Sequence, residues 1–263
     1  MTRLHPLHAP GRLLVLPNAW DVLSARLVEE AGAEAIATTS AGVAWAHGHP
    51  DGERLPLVDL AQAVARIAGA VKRPVTVDLE RGYALDPHGA ADAVARMIDA
   101  GAEGVNLEDG GGPAAALAAK IEAVRRRVGA RVFINARTCV VLRGLVSPAD
   151  TASEVLDRAR IFADAGADGL FVPRLSDMET IQAVTQGTSL PLNVMMVPGL
   201  AAPETLRALG VRRLSAGPCV LEVAYAAARH ATRALLDRGL YDPFLAADLS
   251  YLEANALFAR SAS

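Results

Sequence analysis

Acidic side chains and one arginine end three consecutive apolar segments of this 263-residue chain. Asp78 and Glu80 follow the apolar run that begins at Pro74, Glu108 ends the next run, and Arg137 ends the one after it. Asp78 and Glu108 are 30 residues apart, and Glu108 and Arg137 are 29 apart, which suits one strand plus one helix. Clustered carboxylates repel one another unless they are protonated or bridged by a cation. The pattern therefore predicts a divalent metal site beside a guanidinium.

Repeated helix-to-strand joints indicate the elements that must position these side chains. At four places an alanine-rich helical stretch reaches a glycine suited to the left-handed position after a helix, and a short apolar run follows. With the other apolar runs, eight strands are predicted to begin near Leu13, Ala35, Val75, Gly104, Val132, Gly169, Leu190 and Arg213. Helical patterns with apolar residues three or four apart lie between them. This alternation predicts an α/β fold, a (β/α)8 TIM barrel.

The whole chain, residues 1–263, is predicted to form one barrel domain. A doubly wound open sheet is the alternative, but no GxGxxG motif follows the first predicted strand. After the eighth strand we expect a helix from about residue 220 to 238, and an extra C-terminal helix from about residue 245 to 259. Residues 240–263 are thus a helical extension of the barrel. Such an extension usually packs against a neighbour, which favours an oligomer.

Composition excludes several classes of partner. The formal net charge of −3 gives no electrostatic case for binding nucleic acid. The N-terminus has no apolar core of signal-peptide length, and no segment has about 18 uninterrupted apolar residues, so we expect neither export nor a membrane span. Two cysteines, Cys139 and Cys219, are too few for a disulfide framework and lack the spacing of zinc ligands. A cytoplasmic protein is therefore expected.

The carboxyl ends of the strands are where active sites of TIM barrels form, and Asp78, Glu80, Glu108 and Asp109 are all expected there. A hard ion such as Mg²⁺ suits these carboxylates and keeps waters that a substrate oxygen can displace. Arg137 presents a planar fork that matches a carboxylate. The alternative is that the acids cap helices or pair with arginines, and this alternative weighs most for Asp109.

The predicted loop at residues 38–52 combines small residues, hydroxyls and two histidines. Its backbone N–H groups could receive an oxyanion. His47 and His49 could reach the site, although a surface position is the commoner outcome for such histidines. His5 and His8 lie in an N-terminal segment that we expect to fray.

Six segments of the chain share their order and spacing with one enzyme superfamily. They are PNAWDVLSARLVEEAG from Pro17, SAGVAWAHGHPDG from Ser40, DLERGY from Asp78, LEDG from Leu107, RT from Arg137 and PLNV from Pro191. Together they resemble the isocitrate lyase and phosphoenolpyruvate mutase superfamily over nearly the whole chain. The resemblance implies a Mg²⁺-dependent enzyme of 2-oxo acids that works through an enolate or enolate-like state. It also implies a homotetramer, or a dimer, that exchanges a C-terminal helix between subunits.

The resemblance implies a role for each matching residue. Asp78 resembles the acid that contacts the metal, Glu80 the acid that holds it through water, and Glu108 the acid of the ED motif. The remaining implied site residues are Asp51 at the gate, Thr39, Ser40 and Ala41 in the oxyanion segment, Arg137 on the substrate carboxylate, and Asn193 on the strand near Leu190.

The chain departs from this superfamily after the fourth predicted strand. Lyases of the superfamily carry a KxCGH motif in a long lid there, whereas residues 108–113 here pass almost directly into a helix. Cys139 lies on another strand and cannot replace the cysteine of that motif. We therefore do not expect cleavage of isocitrate or methylisocitrate. A missing lid admits water, which favours protonation of an enolate over its capture by another group.

The predicted function is a Mg²⁺-dependent lyase, with Mn²⁺ as the alternative ion, that cleaves or decarboxylates a small 2-oxo carboxylate such as oxaloacetate. Arg174, after the sixth predicted strand, is expected to bind the distal carboxylate of a dicarboxylate substrate. A second hypothesis is hydrolysis or rearrangement of a P–C bond, as in phosphonopyruvate. A third is a non-catalytic barrel that binds 2-oxo acids.

Overall fold

Parallel strands form a nearly closed barrel in this computed structural model, which describes residues 1–259. Within that part of the chain the strands are β1 (Leu14–Leu16), β2 (Asn18–Ala19), β3 (Ile36–Thr38), β4 (Val75–Asp78), β5 (Ala102–Glu108), β6 (Phe133–Arg137), β7 (Gly169–Val172), β8 (Leu192–Met195) and β9 (Arg213–Ser215). Their order is β1-β9-β8-β7-β6-β5-β4-β3-β2, and every neighbouring pair is parallel. The predicted (β/α)8 barrel is confirmed, and the open-sheet alternative is wrong.

The first predicted strand occurs in two pieces. β1 pairs with β9 and β2 pairs with β3, so together they complete one position in the ring. Pro17 separates them. Proline has no N–H to donate to a sheet, which explains the interruption at this residue.

The helices surround the barrel and alternate with its strands. They are α1 (Val22–Glu30), α2 (Ser40–Ala46), α3 (Leu57–Ala70), α4 (Pro87–Asp99), α5 (Ala114–Val128), α6 (Val140–Arg143), α7 (Thr151–Asp164), α8 (Met178–Gly187), α9 (Pro203–Ala208), α10 (Cys219–Arg238), α11 (Asp242–Leu245) and α12 (Tyr251–Ala259). Short 3-10 turns span His5–His8, Gly129–Arg131 and Pro148–Asp150. The glycines of the four repeated joints, Gly32, Gly101, Gly166 and Gly210, all have φ between 94° and 101°. This positive φ confirms that they end the preceding helices in the left-handed region.

The N-terminal segment closes the bottom of the barrel, so the expectation that it frays is wrong. Leu4 is fully buried, and the ring of His8 stacks on Phe133 with centroids 4.3 Å apart. His8 Nδ1 also donates to the carbonyl of Leu4 at 2.8 Å. A Cβ on Gly104 would lie 2.5 Å from Leu4 Cδ1, so the glycine leaves room for this plug.

The C-terminal region differs from its prediction in one respect. The helix expected at 220–238 is α10, but the helix expected at 245–259 begins only at Tyr251, as α12, and a separate short helix, α11, ends at Leu245. Ser250 N donates to Glu253 Oε2 at 2.8 Å and Glu253 N donates to Ser250 Oγ at 3.2 Å, a capping box that starts a new helix. Residues 260–263 of the predicted extension lie outside the described residues. Across residues 1–259, the structure contains no helix with the length and apolar character that crossing a membrane requires.

Candidate active site

Two adjoining cavities open at the carboxyl ends of the barrel strands. One, of about 170 Å³, is lined by Asp78 together with the segment that begins helix α2. The other, of about 290 Å³, is lined by Glu80 and Glu108. Both cavities are lined by Ser40, Asp51, Arg137 and Leu142. The structure therefore brings most of the predicted site residues to one place in the barrel.

Arg137 joins the carboxylates of neighbouring strands at the end of β6. Its Nη1 lies 2.9 Å from Glu108 Oε2 and 3.8 Å from Asp78 Oδ2, and all three side chains are at most 16% exposed. Burial acts against the charge of Arg137, but the two carboxylates outweigh it and raise the pKa of the guanidinium. Burial also raises the pKa of Glu108, even though Arg137 pulls it down. The guanidinium of Arg137 therefore stays charged, whereas its attraction does not fully offset the burial of the Glu108 carboxylate.

Glu80 is held in a strained turn directly after β4. Its φ of 50° is in the left-handed region, which is unusual for a residue with a side chain. Its Oε1 accepts a hydrogen bond from Glu53 N at 2.9 Å. Burial raises the pKa of Glu80 to about 8, and the nearby carboxylates of Asp51 and Asp78 add to the rise. The site therefore has an excess of carboxyl groups over contacting cations.

Glu53 is a structural residue of the site that the sequence did not single out. Its carboxylate accepts from Tyr83 N at 2.8 Å and from Arg81 Nη2 at 3.1 Å. These bonds tie the loop after α2 to the turn after β4. No spacing rule connects Glu53 with its two partners, because Arg81 and Tyr83 lie in a different loop, 28 and 30 positions later in the chain.

The segment Thr39–Ala41 enters the site at the start of α2. The N–H groups of the first helical turn have no partner within the helix, so those of Ser40 and Ala41 remain for a ligand. Ser40 Oγ donates to Asp78 Oδ2 at 3.2 Å. A Cβ on Gly42 would lie 2.7 Å from Thr39 Cγ2 and 2.8 Å from Trp20 Cβ. Glycine at this position thus permits the close packing that brings the segment to the cavity.

The donor set fits a hard divalent cation that keeps most of its waters. Asp78 Oδ1 is enclosed and has no hydrogen-bond partner in the described part of the chain. Among residues 1–259, no three side chains of His, Cys, Asp or Glu stand close enough to form a ready-made metal cage. Mg²⁺ is commonly held by one or two carboxylates plus waters and substrate oxygens, so such a cage is not required. Asp78 is the residue best placed for direct contact.

Asp109 belongs to the framework and does not join the carboxylate cluster. Its side chain is fully buried and accepts from Arg158 Nη1 at 2.8 Å, from Cys139 N at 2.9 Å and from Gly111 N at 2.9 Å. These bonds fix the short loop between β5 and α5 against α7. The loop occupies only residues 109–113, so the long lid is missing from the structure as it is from the sequence.

Cys139 is buried behind the site. Its Sγ lies 3.8 Å from Glu108 Oε2, and the side chain lines neither of the two cavities. Burial and the adjacent Glu108 raise the pKa of the thiol to about 12. A thiol this weakly acidic does not form a thiolate near neutral pH.

Sequence comparison decides the family of this chain. The family model described as phosphoenolpyruvate phosphomutase matches residues 4–236. The chain belongs to the phosphoenolpyruvate phosphomutase family. The resemblance to the isocitrate lyase and phosphoenolpyruvate mutase superfamily is thereby confirmed, and the chain is an enzyme of that superfamily.

Two relatives and two solved structures are similar to this chain. An uncharacterized protein of Mycobacterium tuberculosis is 42% identical over 241 residues, 89% of this chain and 88% of the relative. An oxaloacetate decarboxylase of Paraburkholderia xenovorans is 31% identical over 226 residues, 80% of this chain and 74% of the relative. The crystal structure of a candidate phosphonomutase from Burkholderia cenocepacia J2315 is 40% identical, with a TM-score of 0.83 over 88% of this chain and 97% of that one. A phosphonopyruvate hydrolase solved with oxalate and Mg²⁺ shares the fold at 22% identity, with a TM-score of 0.85 over 98% and 94% of the two chains.

Two residues expected in the substrate pocket of this phosphomutase-family chain lie elsewhere. Asn193 is 1% exposed beneath the cavity floor, where its Oδ1 accepts from Ser215 Oγ at 3.3 Å. Arg174, with φ of 66°, lines a separate hollow of about 290 Å³ beside Val140 and Thr151. Neither side chain lines the two cavities that Arg137 lines.

Several lining residues were missed by sequence reasoning. They are Asn18, Asn106, Phe171, Met195 and Ser215. Asn106 could have been found, because it precedes Glu108 by two positions and therefore faces the same side of β5. His47 and His49 line neither of the two cavities, as expected for surface histidines.

Proposed function

We propose that this chain is a Mg²⁺-dependent lyase that decarboxylates, or cleaves at a carbon–carbon bond, a small 2-oxo carboxylate of the oxaloacetate type. The observation that carries the proposal is the convergence of Asp78, Glu108 and Arg137 beside the first turn of α2. These groups supply an anchor for a carboxylate, donors for an oxyanion and oxygen ligands for a cation. The related oxaloacetate decarboxylase supports the substrate class.

Arg137 is proposed to bind the substrate carboxylate next to the oxo group. It is held at its Nη1 by Glu108 and lies 5.6 Å from the centroid of the Phe171 ring. These contacts fix the guanidinium before the substrate arrives, so little side-chain freedom is lost on binding. Thr39 and the N–H groups that follow it then face the oxo oxygen.

Negative charge grows on the oxo oxygen when the C3–C4 bond breaks. In decarboxylation the electron pair of that bond enters the enolate and CO₂ leaves, and a proton from water then adds at C3. The Thr39 hydroxyl and the N–H groups of Ser40 and Ala41 stabilise the enolate oxygen. The short loop fixed by Asp109 leaves the site open, which favours this protonation over transfer to another group.

Asp78 is proposed as the direct ligand of Mg²⁺, with Glu80 and Glu108 holding its waters and Mn²⁺ as the alternative ion. When bound, the ion would supply a Lewis acid that polarises the 2-oxo group. Asp51 is exposed and lines both cavities, which suits the predicted gate. Asn193 and Arg174 receive no direct role in this proposal because neither lines the two cavities.

P–C bond chemistry is the second candidate, favoured by the 40% identical candidate phosphonomutase. Parallel assays with oxaloacetate and phosphonopyruvate, in Mg²⁺ and with enzyme-free controls, separate the two. We expect pyruvate and CO₂ from oxaloacetate well above the enzyme-free rate. Phosphate release from phosphonopyruvate, without accelerated decarboxylation of oxaloacetate, would refute the preferred function. Family membership favours both reactions over a non-catalytic barrel.

Arg137→Lys tests the residue that anchors the substrate. A lysine keeps the charge but loses the paired donors, so we expect kcat/KM to fall roughly 100-fold. Arg160→Lys is the matched control, because Arg160 is 71% exposed on α7 and pairs with Asp157 of the same helix. Equal values of kcat/KM for the two variants would show that Arg137 does not anchor the substrate.

A homotetramer, or a dimer, in the cytoplasm completes the proposal. Among the described residues of α10 only Leu221, Ala231 and Ala234 are buried. Many large apolar side chains are exposed between the start of α10 and the end of α12. They are Val223, Tyr225, Leu235, Leu236, Leu240, Tyr241, Phe244, Leu245, Leu249, Tyr251, Leu252 and Phe258. An apolar surface of this kind is typical of a subunit interface. Light scattering coupled to size exclusion should give a mass of two or four times 27.4 kDa, and a monomer would contradict the proposal.

A further inference from the structure

The barrel interior directly beneath the carboxylates is polar. TIM barrels usually fill these layers with Val, Ile and Leu. Here the buried polar side chains include Thr76, Asn106, Asn135, Asn193 and Arg213. Arg213 on β9 is only 1% exposed and is among the largest fully buried side chains of the described chain. The layer therefore contains a buried cation below an anion-binding site.

Arg213 reaches across the barrel to β5. Its Nη2 lies 3.5 Å from Asn106 Oδ1, a long hydrogen bond between residues 107 positions apart. Within residues 1–259 it forms no ion pair, and its Nε and Nη1 have no partner. The carboxylate of Asp78 offsets the burial of this charge only in part, and a buried charge without full compensation is strongly destabilising, so packing alone does not account for an arginine here.

Asn106 has only one orientation that satisfies its neighbours. Its Oδ1 accepts from Asn135 Nδ2 at 2.9 Å and from Arg213 Nη2. A guanidinium only donates, so the amide oxygen must face Arg213 and the amide nitrogen must face away. Asn106 lines the same cavity as Asp78 and Arg137. No residue in the described chain accepts from Asn106 Nδ2, and this atom is not enclosed.

We propose that Asn106 is a substrate-binding residue that donates its amide N–H to a negatively charged oxygen of the bound acid, and that Arg213 is the positioning residue that holds the amide in this orientation. The inference deepens the proposed function, because it names a second donor in the same pocket. Arg213 adds positive potential beneath the cavity, which favours a dianion such as a dicarboxylate. Arg137 and Asn106 approach the ligand from adjacent strands, β6 and β5.

Oxalate in the presence of Mg²⁺ is the probe, with binding measured by calorimetry. A hydrogen bond to a charged group is worth roughly 10- to 100-fold in affinity, so Asn106→Leu should weaken oxalate binding by about that factor. Asn106→Asp should weaken it at least as much, because it replaces the donor with a like charge. Leu107→Met is the matched control; Leu107 faces the helices from the same strand and belongs to the apolar core. It should bind oxalate within about twofold of wild type.

The positioning role of Arg213 predicts a graded series. Arg213→Lys keeps a buried cation and one donor, whereas Arg213→Met keeps neither, so oxalate affinity should fall from wild type to the Lys variant to the Met variant. A merely structural role would lower the melting temperature of the free protein and leave oxalate affinity unchanged. If Asn106→Leu does not fold, Asn106→Ser replaces it, because serine is too short to reach the ligand.

The outcomes separate this inference from the proposed function. If oxalate binding depends on Asn106 but the protein turns over neither oxaloacetate nor phosphonopyruvate, the lyase proposal is refuted and the inference about Asn106 stands. Turnover of oxaloacetate with Asn106→Leu binding oxalate as tightly as wild type would overturn the inference and keep the lyase. Failure of wild type to bind oxalate in Mg²⁺ would overturn the inference.

Discussion

Gly42 offers a direct test of how packing places the oxyanion segment. In Gly42→Ala the new Cβ would lie 2.7 Å from Thr39 Cγ2, 2.8 Å from Trp20 Cβ and 3.0 Å from Leu221 Cδ1. Real Cβ atoms essentially never come within 3.0 Å of such neighbours. Trp20 Cβ is attached to the backbone beside β2, so it cannot rotate away. Helix α2 must therefore shift, and Thr39 with it.

The magnitude follows from a comparison with a second helical glycine. Gly69 lies in α3 with open space where a Cβ would be, so Gly69→Ala should stabilise the protein by about 0.5–1 kcal/mol through helix propensity alone. The same gain applies at Gly42, but overpacking there costs about 1–3 kcal/mol. We therefore expect the free energies of unfolding of the two variants to differ by about 1–3 kcal/mol, with Gly42→Ala the less stable.

Urea denaturation of both variants measures this difference, and oxalate binding in Mg²⁺ reports on the position of Thr39. Gly42→Ala should also bind oxalate more weakly than Gly69→Ala, because its N–H donors no longer meet the ligand. If the two variants were equally stable and bound oxalate equally, close packing at Gly42 would not be what positions the segment.

Two further predictions concern the short loop at residues 109–113 and the N-terminal segment that closes the barrel. Asp109→Asn removes the charge from a fully buried partner of Arg158 and should lower the free energy of unfolding by about 3–5 kcal/mol. The control Asp157→Asn, at a 68% exposed position, should change that free energy by less than about 1 kcal/mol. Similar urea midpoints for the two variants would contradict the framework role of Asp109. Burial, aided by Arg213, lowers the pKa of His8 from its unfolded value of 6.5 to about 4, with His5 a smaller influence of the same sign. The unfolded chain therefore binds the proton first as pH falls, and stability should drop by up to about 3 kcal/mol between pH 6.5 and 4. His8→Phe should flatten this part of the stability curve measured by urea denaturation, and an unchanged slope would show that His8 is not its source.

Elements that depend on local patterns followed from the sequence. Helices such as α3 and α4 were indicated by apolar residues at three-to-four spacing, and the joints by glycines, which the structure shows at positive φ. The positions of Asp78, Glu108 and Arg137 at strand ends followed from this alternation, since parallel strands end at one rim. The break between α11 and α12 was missed because Ser250 and Glu253 lie inside a helix-like apolar pattern.

Side-chain partners that are distant in the chain were not accessible in this way. Asp109 stands next to Glu108 in sequence but points the other way and pairs with Arg158, 49 positions later. Asn193 was expected in the substrate pocket from the resemblance, yet its side chain is bonded to Ser215 and does not line the cavity. A motif match specifies a backbone position, whereas the neighbouring strands determine what the side chain contacts.

By itself, the sequence determined the barrel, the rim that carries the acids and the family, because hydrophobic periodicity and motif order are local properties of a chain. Only the tertiary structure decided which acids share a cavity, how the N-terminal segment closes the barrel, and that Arg213 lies beneath the site against Asn106. These contacts join residues as far apart in the chain as His8 and Phe133, and their energies depend on burial and direction, which emerge only when the strands close into a ring.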